Sequence, residues 1–251
     1  MFPRPAPLAF LDLTRPDPRA DLALDEALLR AQDDAGGPGL LRVWERPDLC
    51  VALGRANRVA SNVNVPACEA AGVPVLRRAS GGGTVLLGPG ALCWSLALPV
   101  GPPHGLPGDI PAATAAIMGR LADAVRPLIA GVGVDGTSDL TVPGPGGGRV
   151  KVGGNAQRWL KRAMLHHGTL LYDFDLPAIG RFLTPPERQP DYRAGRDHRA
   201  FVTNLPVRRS DLVAALRDAF AATAPAPPVP DGLAAELLRD RYADPAWHLR
   251  R

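Results

Sequence analysis

The chain has 251 residues, 46% of them hydrophobic, and a formal net charge of +4. That suffices for a sizeable core in one large domain and for no more than a modest attraction to anionic partners. No apolar run reaches membrane-spanning length, residues 1–10 lack the apolar stretch of a secretory signal, and the cations, nearly all arginine, form no block of the nucleic-acid-binding kind.

Cys50, Cys68 and Cys93 show neither metal-ligand spacing nor an even-numbered framework. This predicts a reduced, cytoplasmic protein without a disulfide scaffold or zinc site. In chain order, residues 21–35 read as a helix with Leu22, Leu28 and Leu29 as apolar positions, Asp21 as its cap and Gly36-Gly37 as its stop. "LLRVWERP" and "LCVALGR" read as two strands around a Pro-Asp turn, and Pro66 opens a short helix. "VPVLRR" is a strand that feeds the loop "ASGGGT", and "ALCWSLALPV" is another strand. "GPPHGLPG" is a loop, and residues 112–129 form a helix with Ile117, Leu121, Val125 and Leu128 on one face.

"SDLTV", the turn "PGPGGG" and "RVKVGGNAQRWL" make a hairpin, and a turn at Lys161 and Arg162 leads into "AMLHHGTLLYDFDL". Short helices follow near Ala178 and over 211–221, then the breaker "APAPPVP" and a last helix over 233–241. Hairpins mixed with helices predict an α+β fold, a mixed and largely antiparallel sheet flanked by helices, in a single domain spanning 1–251.

"GVGVDG" matches the dinucleotide pattern GxGxxG, but a helix precedes it and a strand follows. That order is the reverse of what seats a pyrophosphate on a helix N-terminus. The triple glycine is more informative. Residues without Cβ let backbone N–H groups approach a ligand, and Arg77 and Arg78 alternate faces, so at most one points at the loop. A guanidinium there can fork onto a phosphate or carboxylate, whereas a plain surface turn with incidental arginines is the competing reading. Lys151 sits in a strand of small and apolar residues, where burial needs an opposing anion. His166 and His167 read as one histidine facing in and satisfied and one facing out, with no third ligand for a metal.

"RRASGGGTV", "SDLTV" with "KVGGNAQ", and "HHGTLL", in this order and spacing, resemble the lipoate–protein ligase catalytic domain. The likeness extends upstream to "DLALDEALLRA" and "LCVALGRANR" and downstream to "RYADPAWHLRR". The resemblance implies the fold shared by biotin ligases and class II aminoacyl-tRNA synthetases. It implies a reaction in which ATP and lipoate give lipoyl-AMP and a carrier lysine then takes the acyl group. Arg78, Ser80, Gly81, Gly82 and Gly83 would line the acyl-adenylate, and Lys151 would polarise the acyl carbonyl. Asp139 would contact adenylate or magnesium. Gly153, Gly154 and Asn155 would shape the pocket, and Gly168 and Thr169 would face the nucleotide.

The resemblance further implies lipoyl carrier domains as partners: 2-oxoacid dehydrogenase E2 subunits or the glycine cleavage H protein. Nucleic acid and membrane are not implied. Leu87 and Gly88 depart from the family pattern, and the small C-terminal domain of full-length ligases is absent, which leaves a two-subunit ligase with a separate accessory subunit, a self-sufficient short ligase or a transferase. Two alternatives stand beside the ligase: an octanoyltransferase working through a cysteine thioester, and a non-catalytic subunit that binds carrier or adenylate. The loop before the lysine strand, "GVDGTSDLTV", has no cysteine, which favours the ligase.

Overall fold

The computed structural model describes residues 7–101, 106–185 and 189–250. The first six residues, positions 102–105 of the loop expected at 101–108, and the last residue of the tail lie outside the described residues.

The first strand, β1 (Ala9–Asp12), leads into helix α1 (Pro18–Ala35). Asp17, rather than Asp21, caps α1: its carboxylate accepts the Arg19 amide at 2.8 Å, and Pro18 opens the first turn. Asp21 lies one turn further in and is fully buried. Its carboxylate accepts the Arg15 amide at 2.9 Å and hydrogen bonds from the guanidiniums of Arg42 and Arg46. The sequence reading confused two acidic residues of one turn, and the buried arginines decide between them.

Strands β2 (Leu40–Trp44) and β3 (Cys50–Leu53) do flank the Pro-Asp turn, but they belong to different sheets. Helix α2 (Val65–Ala71) starts one residue before Pro66 and is capped by Asn64. Strands β4 (Val75–Arg77) and β5 (Val85–Leu87) sit on either side of β3, parallel and antiparallel to it, as a three-stranded sheet. Between β4 and β5 runs the glycine loop.

The chain continues with β6 (Ala91–Pro99), α3 (Ile110–Val125), β7 (Gly133–Asp135), β8 (Asp139–Pro143), β9 (Arg149–Trp159) and β10 (Ala163–Leu171). Helix α3 ends four residues before the expected 129, because Pro127 lacks the N–H that another helical bond needs, and Leu128 is left 37% exposed. Helices α4 (Leu176–Phe182), α5 (His198–Phe201) and α6 (Arg209–Ala219) follow. The proline-rich breaker contributes an edge strand, β11 (Ala224–Pro225), the place in a sheet where proline is tolerated. The helix expected over 233–241 is α7 (Asp231–Leu237) followed by a π-turn, Leu238–Tyr242, which carries Tyr242 inward onto Glu26 at 2.8 Å. Helix α8 (Pro245–Leu249) comes last.

The main sheet has eight strands in the order β11-β1-β2-β6-β10-β9-β8-β7. Only β11–β1 and β1–β2 are parallel; the other pairs are antiparallel, as expected. Alternation along β6 sorts the two faces. Leu92, Trp94 and Leu96 pack with Ile117 and Leu121 of α3 and with Leu212 and Leu216 of α6. Cys93 and Ala97 point the other way, toward Leu22, Leu24 and Leu28 of α1. Each fully buried leucine of α1 contributes roughly 1.5–3 kcal/mol. This second face, between α1, the main sheet and the small sheet, is where the polar residues singled out above converge.

Candidate functional site

Arg77 and Arg78 do alternate. Arg77 turns away from the loop and grips the C-terminal segment: its guanidinium donates to the carbonyls of Trp247 (3.1 Å), His248 (3.0 Å) and Arg250 (2.8 Å), and also to those of Gly54 and Asn57. Arg78 turns into the loop. Its Nε donates to Ser80 Oγ at 3.0 Å, Nη1 to the Ala52 carbonyl at 2.9 Å, and Nη2 to the carbonyls of Gly81 and Gly83. Burial pushes Arg78 down to about 10, so it stays charged at neutral pH. It fixes the loop's shape from within. Gly82 supplies the one left-handed residue of the turn, with φ +79°.

A hydrogen-bond chain then ties the loop to the sheet. Ser80 Oγ lies 2.6 Å from His167 Nε2, and His167 Nδ1 lies 3.2 Å from Asp25 Oδ2. Asp25 also accepts from Ser95 Oγ (2.8 Å) and Arg42 Nη1 (2.6 Å). Burial alone would raise the Asp25 carboxyl, but the Arg42 charge and the bonds from His167 and Ser95 outweigh it and hold it below the usual carboxylate range. Nδ1–H of His167 therefore donates to the carboxylate. The Ser80 hydroxyl accepts from Arg78 and closes the chain on Nε2. The order Asp–His–Ser is that of a hydrolase relay. Ser80, however, is 1% exposed and borders neither of the cavities described below, so its hydroxyl is a latch for the loop.

Lys151 is half-buried on β9 and does face an anion: Nζ lies 2.7 Å from Asp139 Oδ1. The Tyr192 hydroxyl donates to the other Asp139 oxygen at 2.8 Å. Burial and the Asp139 carboxylate push that phenol far up, so it keeps its proton. A Cβ on Gly154 would stand 2.8 Å from Lys151 Nζ, so glycine there clears the space for the ammonium. A Cβ on Gly168 would stand 2.4 Å from the Gly154 carbonyl and 3.0 Å from Trp94, and one on Gly153 would stand 2.4 Å from the Thr169 carbonyl. Both glycines let β9 and β10 close up. Asn155 Nδ2 donates to the Ser138 carbonyl.

Two cavities meet at Lys151. The narrow one, about 130 Å³, is lined by Leu22, Trp44, Leu87, Cys93 and the His167 ring, with Arg78 and Gly168 on its walls. The wide one, about 460 Å³, is lined by Asp139, Gly153, Arg193, His198 and Phe201. Gly83, Lys151, Gly154, Asn155 and Thr169 border both. Of the residues singled out from the sequence, Ser80, Gly81 and Gly82 reach neither. Gly81 instead borders a groove on the reverse side of the loop.

The wide cavity contains groups the sequence did not reveal. Arg193 is 4% exposed and lies over the Phe201 ring at 4.7 Å, and its Nη2 has no hydrogen-bond partner. Burial lowers its pKa. Nothing in "DYRAGRD" distinguishes this arginine from its many neighbours. Asp25 did leave a signal: acidic residues four apart in an alanine- and leucine-rich helix, with Arg42 standing in an otherwise apolar strand.

The two histidines reverse the expectation. His167 is the one whose nitrogens are both partnered. His166 is the fully buried one: it stacks on Trp94 (centroids 5.5 Å apart, planes at 16°) and leaves both ring nitrogens without a partner. Burial pushes it down to about 3, so it is neutral. The cysteines are core residues. All three are buried, Cys50 is pushed up to about 12, and Cys93 is raised well above its ordinary value. Among the described residues no group of three His, Cys, Asp or Glu stands together to hold a metal, and both oxygens of Asp139 are engaged. No described helix is long and apolar enough to cross a membrane.

Residues 17–221 match the sequence profile of the lipoyl protein ligase A/B catalytic domain. The fold is similar to that of a bi-partite lipoate protein ligase from Thermoplasma acidophilum, studied with its E2 lipoyl domain, at a TM-score of 0.82, 24% identity and 98% coverage of both chains. It is also similar to a lipoate-protein ligase A bound with ATP (TM-score 0.80, 22% identity, 97% of this chain and 99% of that one). A third likeness is to a putative lipoate protein ligase from T. acidophilum with bound lipoic acid (TM-score 0.75, 23% identity, 97% and 100% coverage).

Proposed function

Since the chain belongs to the lipoyl protein ligase A/B catalytic domain family, we propose that it uses ATP to activate lipoate, or a similar medium-chain acid, and passes the acyl group to a lysine of a lipoyl carrier domain. The carrier would be a 2-oxoacid dehydrogenase E2 subunit or a glycine cleavage H protein. The observation that carries this reading is the place of Lys151, an ammonium at the seam between a narrow apolar cavity and a wide cationic one. The acyl chain fits the first, against Leu22, Trp44, Leu87 and Cys93, and its carboxylate then lies at Lys151. The nucleotide fits the second, where the unpartnered Nη2 of Arg193 and the Lys151 ammonium offer charge to phosphate oxygens.

In the first step a carboxylate oxygen attacks the α-phosphorus, a new P–O bond forms, and pyrophosphate leaves. In the second the carrier amine attacks the acyl carbon, the amide C–N bond forms, the C–O bond to AMP breaks, and the amine proton passes to water. Lys151 is held by Asp139 and is not acylated; it offsets the negative charge that grows on the carbonyl and phosphate oxygens. The latched loop supplies Gly83 to the same spot. Asp139 is engaged by Lys151 and Tyr192, so magnesium would be held chiefly by the phosphate oxygens of ATP beside it and would offset their charge.

Several relatives support the reading in their own right: one holds ATP, one holds lipoic acid, and one is a bi-partite ligase with a lipoyl domain, which also supports an accessory subunit. A thioester route has less support. Cys93 borders the narrow cavity, but it is 3% exposed and its thiol is held protonated by burial.

The test offers an apo lipoyl domain with ATP, magnesium and lipoate, and in parallel with octanoyl acyl carrier protein alone, and follows the carrier's mass. Acylation that depends on ATP supports the ligase. Acylation from the octanoyl donor without ATP overturns it. If only preformed lipoyl-AMP works, the accessory subunit supplies the activation step.

A further inference from the structure

Asp139 pairs with Lys151 through Oδ1 at 2.7 Å. Asp135, its cross-strand partner on β7, is taken by Arg149 at 2.9 Å and by the Thr141 hydroxyl. An ammonium has three donors, so Lys151 can keep Asp139 with one and turn the other two toward a substrate. Where those two point depends on where the carboxylate stands. A carboxyl group turns easily about its last torsion, whose wells are broad. A contact to one oxygen does not fix its plane; a second contact does. Tyr192 supplies the second, donating to Oδ2 at 2.8 Å from 53 residues further along the chain. A hydrogen bond from a neutral hydroxyl to a carboxylate is among the stronger ones in a protein.

The tyrosine is anchored in its turn. Its ring packs on Phe201, with centroids 5.2 Å apart and planes at 43°. It also lies against the turn between β7 and β8, where a Cβ on Gly136 would stand 3.3 Å from the ring. Tyr192 sits in a single helical turn, Asp191–Arg193. Ala194 and Gly195 follow at φ +49° and +72°, and this reversal brings Arg196 back. Arg196 Nη2 donates to the Tyr192 carbonyl at 2.7 Å and its Nε to the Arg193 carbonyl at 3.0 Å. A left-handed alanine is uncommon and persists where its surroundings over-determine it. The far end of the same segment reaches Lys151 through the backbone. The Thr203 amide donates to the Lys151 carbonyl at 2.9 Å, and Val202 pairs with Lys151 as a parallel bridge. Residues 190–203 thus hold the main chain of Lys151 and the carboxylate in front of its ammonium, and they carry Arg193 into the same cavity.

We propose that Tyr192 is a positioning residue of the acyl-transfer site: its hydroxyl fixes the plane of the Asp139 carboxylate, and that carboxylate aims the Lys151 ammonium at the acyl carbonyl and the phosphate. This rests on the ligase reading above. Tyr192 borders neither cavity, so it acts through Asp139 and not on the substrate. A misaimed ammonium still attracts a bound phosphate, but it offsets less of the charge that grows in the transition state. The loss therefore falls on the rate of transfer more than on binding.

The test uses Tyr192→Phe in the full chain, which removes the hydroxyl and keeps the ring on Phe201; a thermal melt checks that the variant is folded. Single-turnover transfer from preformed lipoyl-AMP to an apo lipoyl domain is expected to slow about tenfold, the loss of one hydrogen bond to a charged group. The Kd for lipoyl-AMP is expected to stay within about twofold. In a Lys151→Ala background the same substitution should have no further effect on transfer. An unchanged rate, a loss confined to Kd, or an equal loss in both backgrounds overturns the proposal. A second measurement needs no activity. Lys151 and Lys161 are the only lysines of the chain, and Lys161 is exposed. Brief acetylation with dilute acetic anhydride, read by peptide mass, gives the labelling of Lys151 relative to Lys161. A loosened carboxylate uncovers the amine, so Tyr192→Phe should raise that ratio about two- to fivefold. An unchanged or lower ratio overturns the proposal. If the parent forms no acyl-adenylate and acylates no carrier, the ligase reading fails by itself; the labelling ratio then still decides whether Tyr192 holds the Asp139–Lys151 pair.

Discussion

His166 gives the most quantitative prediction. It is neutral, fully buried, stacked on Trp94, and without a partner for either ring nitrogen. Its folded value of about 3 lies far below the 6.5 of an unfolded chain. A depressed imidazole contributes full stability above the unfolded value, and that contribution is lost as pH falls toward the folded one, because the unfolded chain binds the proton first. Linkage over that gap makes His166 alone cost about 2 kcal/mol near pH 5 and about 3 kcal/mol near pH 4. At neutral pH, His166→Leu forfeits the stacking on Trp94, about 0.5–1.5 kcal/mol, and removes two unsatisfied nitrogens whose burial costs about 1–3 kcal/mol.

The variant is therefore expected to match or exceed the parent at pH 7 and to gain on it steadily below pH 6. Urea denaturation followed by far-ultraviolet circular dichroism at pH 7, 6, 5 and 4 measures the gap directly. Stability curves that run parallel from pH 7 to pH 4 would refute the reasoning, as would an imidazole resonance of His166 that titrates near 6.5.

Three further outcomes follow from the site. Lys151→Ala should lower acyl transfer about 10²- to 10³-fold and change stability by less than about 1 kcal/mol, since its pair with Asp139 is partly open to solvent; single-turnover transfer and thermal melts read the two. Gly54→Ala places a Cβ 2.1 Å from the Gly82 carbonyl, so it should displace the loop and cost about 1–3 kcal/mol together with most of the activity; wild-type turnover in that variant would mean the loop tolerates the shift. Ser80→Ala and His167→Ala should each speed hydrogen exchange at the loop amides. In the double mutant the effects should fall short of additive by about 0.5–3 kcal/mol, and additive effects would show that the latch does not couple them.

What could be read from the chain was what is local. The glycine run, the "PGPGGG" turn and the period-two alternation of "RVKVGGNAQRW" and "AMLHHGTLL" place β8, β9 and β10 and set Lys151 across from Thr141, within reach of Asp139 two residues along. The helix over 18–35 was visible, but its start was misplaced by one turn, because Asp17 and Asp21 look alike until Arg42 and Arg46 claim the second. Splitting β2 and β3 between two sheets depends on β6 taking one and β4 and β5 the other, which the five residues between them do not encode. The faces of His166 and His167 depend on partners far away: Trp94 for the first, Asp25, 142 residues back, for the second. Arg193 was hidden for a different reason, a composition in which arginine is nearly the only cation.

The grip of Arg77 on the carbonyls of Trp247, His248 and Arg250 also bears on how the protein is made. The residue just before the glycine loop finds those partners about 170 positions further along the chain. A ribosome has to translate almost to Arg250 before that anchor can exist, long after α1 and β2 have emerged. Loop closure over such a distance is slow and entropically unfavourable until the rest of the sheet has formed. The nascent chain therefore carries the end of β4 without its C-terminal anchor through most of synthesis, whereas the latch of Ser80 on His167 needs only the first two thirds of the chain.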